Sequence, residues 1–186
     1  MKKLAMMSAF AALVATAGAA DEVTDTLSAA MDAYADGDIQ YALDELAYAT
    51  QLLNDMKADG LEGYLPEPQP GWTMAINDEA AANMGFLGGG AMVEAQYSGG
   101  GPAFTITMMA DNQMVLSMGA MLGNAQLMAA MGPIERVNRQ SFLNQNGELS
   151  ALIGNRVLIQ AAGGNLPDML AHLETMDFRE VEDFGR

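Results

Sequence analysis

The chain has 186 residues, with 24 acidic side chains against 8 basic ones for a formal net charge of −16, and it contains no cysteine. That balance repels phosphate backbones and makes nucleic acid a poor partner, while the lack of Cys excludes disulfides, thiolate metal sites, a Cys nucleophile and a lipid anchor on a lipobox cysteine. Apolar residues make up 51% of the chain and 17 of them are methionine, enough for one domain of ordinary size with a small appendage.

The first predicted element is an export signal. Lys2 and Lys3 form a positive end, Leu4 to Ala15 form an apolar stretch broken only by Ser8, and Ala17-Gly18-Ala19-Ala20 offers small residues for cleavage before Asp21-Glu22. Residues 1–20 therefore predict a signal peptide and a periplasmic or secreted protein that begins near Asp21 with a net charge of −18. The apolar stretch is shorter than the roughly 20 residues of a bilayer span, so no transmembrane segment is expected after cleavage.

Residues 21–64 predict a helical hairpin. Thr26 to Ala35 and Ile39 to Lys57 have helical composition, and between them Gly37 suits a helix C-terminus and Asp38 an N-cap. Ala42, Leu46, Ala49 and Leu53, spaced four, three and four apart, predict one apolar stripe that packs on the partner helix. Tyr34, Gly37-Asp38, Ala42-Leu43, Leu46, Ala49 and Leu52 resemble the centre of a single tetratricopeptide repeat. No second copy follows, and a solenoid needs about three, so the resemblance does not imply a peptide-binding superhelix. Asp32, Asp36, Asp38 and Asp44-Glu45 do not match the alternating pattern of a calcium loop and read as caps and solvated charge.

Leu65-Pro66-Glu67-Pro68-Gln69-Pro70-Gly71 predicts a Pro-rich linker over 65–71, because alternating prolines cannot continue a helix. The α+β sheet domain is expected over 72–186. Val93, Ala95 and Tyr97 alternate with Glu94, Gln96 and Ser98, and Phe104, Ile106 and Met108 with Thr105 and Thr107, which is the period of half-buried strands. Gly99-Gly100-Gly101-Pro102 reads as the connection between them. A long Met-rich helix follows Asp111. Asn146-Gly147 and Gly154-Asn155 then divide a three-strand meander through Phe142, Leu149 to Ile153 and Val157 to Ala161, and a short helix from about Leu166 to Glu174 precedes Met176-Asp177-Phe178.

An antiparallel sheet with packed helices after an N-terminal hairpin is an α+β architecture. Pro70-Gly71-Trp72 at the first strand, the long helix, the meander and the closing Leu170, Leu173, Met176 and Phe178 pattern resemble the PsbP-like fold. The hairpin, the Leu-Pro-x-Pro-x-Pro-Gly-Trp segment and the Met-rich helix also resemble a group of exported proteobacterial proteins, from which no activity is carried over. PsbP-like domains imply accessory or binding roles.

Met114, Met118, Met121 and Met128, with Ala125, fall at helical spacing and predict a shared face, most simply a flexible thioether core. Two alternatives use the same residues. Thioethers select Cu(I), and an exported protein without Cys would have to rely on them. The stretch from Asn112 to Ile134 also carries no charge, and its Met-rich face suits a lipid, a hydrophobic ligand or a partner protein, although Gln113, Ser117, Gly119, Gly123, Asn124 and Gln126 make it a poor bilayer span.

His172 stands alone between Leu170 and Leu173 and reads as structural. Arg136, Arg139 and Arg156 offer a small anion patch or ordinary pairing with Glu135 and Glu148. No phosphate-loop, nucleophile-elbow or zinc-protease pattern occurs, so no catalytic residue, cofactor or metal site is assigned. The expectation is a non-catalytic binding or accessory module of the cell envelope, holding an envelope protein or hydrophobic ligand on its hairpin or its Met-rich face, with a Cu(I) carrier as the alternative.

Overall fold

The structure is a computed structural model that describes residues 14–77 and 90–185. Most of the expected signal peptide lies outside the described residues, as do Gly88 and Gly89, whose sequence lacks the Gly-Lys-Ser/Thr of a phosphate loop. Two compact units divide between Met56 and Lys57, inside the second helix, so residues 57–62 belong with the sheet domain and not with the hairpin as expected.

The first unit is built on α1 (Val14–Asp36) and the larger part of α2 (Ile39–Glu62). Gly37 turns the chain at φ 81°, a conformation that costs glycine little, and the Asp38 carboxylate accepts from the Tyr41 N–H at 3.1 Å to start α2. Val23, Thr26, Ala30 and Ala33 are buried on α1, and Ala42 and Ala49 on α2. The Tyr48 hydroxyl ties the helices by donating to Glu22 at 2.6 Å. The stripe expected to pack is thus only half correct: Leu46 and Leu53 remain 46% and 47% exposed.

The second unit is a seven-stranded sheet, antiparallel throughout, with helices on both faces. Its strands are β1 (Thr73–Ile76), β2 (Ala91–Ser98), β3 (Phe104–Ala110), β4 (Ile134–Val137), β5 (Gln140–Gln145), β6 (Glu148–Ile153) and β7 (Val157–Ala162), in the order β1-β2-β3-β7-β6-β5-β4. The four-strand meander from β4 to β7 has one strand more than expected. β4 turns into β5 at Asn138-Arg139, both at positive φ, and arginine is no turn signal in a sequence.

Strand alternation gives each face its character. Val93, Ala95 and Tyr97, Ile106 and Met108, Leu149, Ile153, Ile159 and Phe142 build the main core on one face. Leu61 and Leu65, Met169 and Leu173 of α5 (Leu166–Leu173), and Phe178 and Val181 of α6 (Phe178–Glu182) complete it. On the other face Met109, Leu143 and Leu158 lie under Val115 and Leu122 of α3 (Gln113–Leu122) and Met128 of α4 (Ala125–Met131). The paired row Glu94, Thr107, Gln160 and Ser150 makes the neighbouring part of this face polar. The fold is the expected α+β class, with a hairpin followed by an antiparallel sheet and packed helices.

The glycine run between β2 and β3 has a steric cause. A Cβ on Gly100 would fall 2.2 Å from the Trp72 indole nitrogen, so the ring lies where only glycine leaves room.

Candidate contact surfaces

The hairpin exposes several large apolar side chains on both of its helices. On α1, Leu27, Met31 and Tyr34 are 40%, 74% and 72% exposed, and their spacing of four and three makes one stripe. On α2, Ile39, Leu43, Leu46 and Leu53 are all exposed, and with Thr50 they continue the same rhythm. At 3.6 residues per turn each stripe lies roughly a quarter turn beyond its buried seam, in the same rotational sense. Because the helices are antiparallel, equal rotations bring both stripes to one side of the hairpin. The Tyr48–Glu22 hydrogen bond occupies the other side.

The unit that carries this face is strongly acidic. Asp32 on α1 and Asp44 on α2 are exposed more than a third of a turn further round their helices, on the outer flanks. Residues 21–56 hold nine acidic side chains and no Lys or Arg.

The Met-rich segment is not one helix. Gly123 closes α3, Asn124 caps α4 by accepting from Gln126 and Leu127 at 3.0 and 3.3 Å, and the two helices meet at 90°. The shared face expected of Met114, Met118, Met121 and Met128 is therefore broken, because Met128 belongs to a helix pointing elsewhere. Met128 is buried, Met118 and Met121 are half-buried and Met114 is exposed. The inward positions of α3 are Val115 and Leu122, which leaves Met114 and Leu116 outward, as Leu127 and Met131 are on α4. Among the described residues no single helix is long and apolar enough to cross a membrane; α3 and α4 pass that test only as a bent pair.

His172 is 99% buried in an aromatic cluster, its ring 5.2 Å from Trp72 and 5.0 Å from both Tyr97 and Phe104. Its Nε2 accepts from the Gln69 N–H at 3.1 Å and its Nδ1 faces the Asp168 carbonyl at 2.8 Å. An acceptor at one nitrogen and a donor at the other fix the tautomer. Tyr97 donates to the Pro66 carbonyl at 2.7 Å, and burial pushes its phenol well above the ordinary 10.0. The segment expected to act as a linker is thus bound to the sheet domain through Pro66 and Gln69. Cluster residues 100 positions apart carry no joint signal in sequence, although Trp72 beside a glycine-compatible turn is a hint.

Asp111 organises a second polar centre. It accepts from Lys57 Nζ at 2.6 Å and from Arg156 Nε and a terminal nitrogen at 3.2 and 2.9 Å. The Arg156 hydrogen bond, reinforced by Lys57, holds its carboxyl below the usual 3.8. Arg156 also donates to the Phe184 carbonyl at 2.9 Å. The patch of Arg136, Arg139 and Arg156 is accordingly not assembled, and Arg156 pairs with neither Glu135 nor Glu148. Glu135 instead accepts from Asn144 at 3.3 Å.

Arg139 lies with Arg179, Asp177 and Glu182 along an open groove of about 620 Å³, whose two cations and two anions cancel. Asn138 anchors its wall by donating to the Glu174 and Met176 carbonyls at 2.7 and 3.2 Å. Among the described residues no buried side-chain polar atom lacks a partner, and no group of three His, Asp or Glu side chains is placed to hold a metal ion. Comparison with protein-family models, with curated proteins and with solved structures finds no match.

Proposed function

We propose that this is an exported, non-catalytic binding module of the cell envelope, which holds a partner protein on the apolar face of its helical hairpin. One observation carries the proposal: seven large apolar or aromatic side chains, Leu27, Met31, Tyr34, Ile39, Leu43, Leu46 and Leu53, share one exposed side of a two-helix unit. A patch of this kind, contiguous and rimmed by polar residues, is characteristic of interaction sites. The buried His172 has both ring nitrogens engaged by the backbone, and the Asp111 carboxylate is engaged by Lys57 and Arg156 at the surface; an accessory role is what the PsbP-like resemblance implies.

The test compares surfaces. A partner cross-linked to the wild-type chain in its own envelope is expected to be lost with Leu43→Glu and kept with Leu116→Glu on α3. Retention by the Leu43→Glu variant would overturn the reading. A second reading, a hydrophobic ligand or lipid on α3 and α4, is favoured by the exposure of Met114, Leu116, Leu127 and Met131 in a stretch without charge. Liposome flotation lost on Leu116→Glu would support it.

A further inference from the structure

The occupant of the hairpin face is constrained by charge, by length and by what the chain itself lacks. We infer that the face takes a basic amphipathic helix of another protein, laid lengthwise along α1 and α2; this rests on the docking reading above. Ile39 to Leu53 covers 14 helical steps, about 21 Å at 1.5 Å per residue, so the face matches a partner helix of roughly four turns. Apolar residues at i, i+3, i+4 and i+7 of such a helix would lie over Leu27, Met31, Leu43 and Leu46, in the helix-in-groove manner. Lys or Arg on such a helix would then lie in the field of the nine carboxylates of residues 21–56, which no Lys or Arg of that segment offsets.

Three other occupants are disfavoured on the same grounds. A second copy would bring together two hairpins that each carry nine acids and no base between residues 21 and 56. An anionic membrane meets the same repulsion. The chain cannot supply the helix itself, because its eight basic residues are scattered and two of the six beyond Lys3, Lys57 and Arg156, are engaged by Asp111.

The experiment titrates the full chain with three labelled 16-residue peptides: Leu and Lys in amphipathic register, the same composition scrambled off the helical period, and Leu and Glu in amphipathic register. Saturable binding of the first is expected, at least about tenfold tighter than the scrambled peptide and weakened by salt, with none of the Leu/Glu peptide. Leu43→Ser with Leu46→Ser should weaken it by about tenfold or more at unchanged circular dichroism, and Leu116→Ser with Leu127→Ser should not. Met31→Ser with Leu53→Ser serves where the first pair unfolds, and a photo-reactive peptide should label the hairpin face.

Equal binding of the Leu/Glu peptide would overturn the charge inference and leave the docking face standing. Binding insensitive to both hairpin pairs, binding to anionic vesicles that the Leu43→Ser and Leu46→Ser pair abolishes, or a dimer that this pair dissolves would each overturn it. If no peptide binds, the inference fails, and the cross-linking comparison of Leu43→Glu with Leu116→Glu decides separately whether the face docks a partner.

Discussion

The hairpin and the sheet domain use apolar residues in opposite ways. In the sheet domain Phe142, Ile106, Ile159 and Leu149 are fully buried between strands and helices, and strand alternation sends Glu94, Gln96 and Thr105 away from that core. In the hairpin the buried seam is mainly alanine, and the larger side chains Leu43, Leu46, Met31 and Tyr34 face outward. A two-helix unit has only one seam, so every apolar residue beyond it stays exposed. The difference teaches that composition alone does not locate a core: both units are rich in apolar residues, but the sheet encloses most of its large ones, the exceptions being Met114, Leu116, Leu127 and Met131 on α3 and α4.

The sharpest way to break this comparison is to truncate each unit at its best-placed large side chain. Phe142→Ala is expected to destabilise the sheet domain by about 3–5 kcal/mol, through lost transfer energy and the cavity left behind. Thermal unfolding followed by near-ultraviolet circular dichroism checks it, and a loss below about 1 kcal/mol would mean that the core on this face is not close-packed. The corresponding change in the hairpin is an insertion. Ala49→Leu overfills a seam where Ala49 is 1% exposed, and should cost about 1–3 kcal/mol, read as earlier loss of helical signal.

Polar anchors come next in size. Tyr97→Phe leaves the Pro66 carbonyl without its donor and should cost about 1 kcal/mol. Its pH signature is specific. Because the folded phenol titrates above 10.0, the unfolded chain loses the proton first, so wild-type stability should fall as pH rises beyond 10.0. In Tyr97→Phe that alkaline slope should flatten, measured by denaturant unfolding between pH 9 and about 11.

Asp111→Asn is smaller. Asn tolerates the positive φ of 56° at this position, so the substitution removes charge with little backbone cost. The Asp111 carboxyl titrates below 3.8 when folded, so its stabilisation is complete well above that value and is lost as pH falls from there through the lower folded pKa. With about a third of both partners in solvent the expected effect is near 1 kcal/mol or less at neutral pH, vanishing in acid.

Much of the architecture was legible before the structure because it rests on local rules. The period of two in β2 and β3, the Asn146-Gly147 turn, and Gly37-Asp38 between the helices each carry their own signal, and each appears where expected. What stayed hidden depends on partners far away in the chain. Asp111 meets Lys57 and Arg156, which lie 54 and 45 positions from it. The break at Gly123-Asn124 was visible as residues, yet the Met spacing running across it suggested one helix, and only the capping by Asn124 shows that the rhythm is coincidental. The hairpin face was half legible. Leu27, Met31 and Tyr34 have helical spacing, but a sequence does not say whether a stripe faces its partner helix or solvent, and here the buried positions went to Ala30, Ala33, Ala42 and Ala49.

The smallest expected effect on folding is therefore the most informative about the hairpin. Leu43→Ser replaces a side chain that is 55% exposed, so it forgoes little buried area and should change stability by no more than about 0.5 kcal/mol. Serine also has somewhat lower helix propensity than leucine, which accounts for most of that small cost. Chemical unfolding of wild type and variant side by side measures it, with helical content compared in water. A loss of about 2 kcal/mol or more would show that Leu43 is packed in the native protein, and the hairpin would then resemble the sheet domain in enclosing its large side chains. A negligible loss, together with failure of the variant to hold a partner, would leave the exposed leucines no role in folding and assign them to binding.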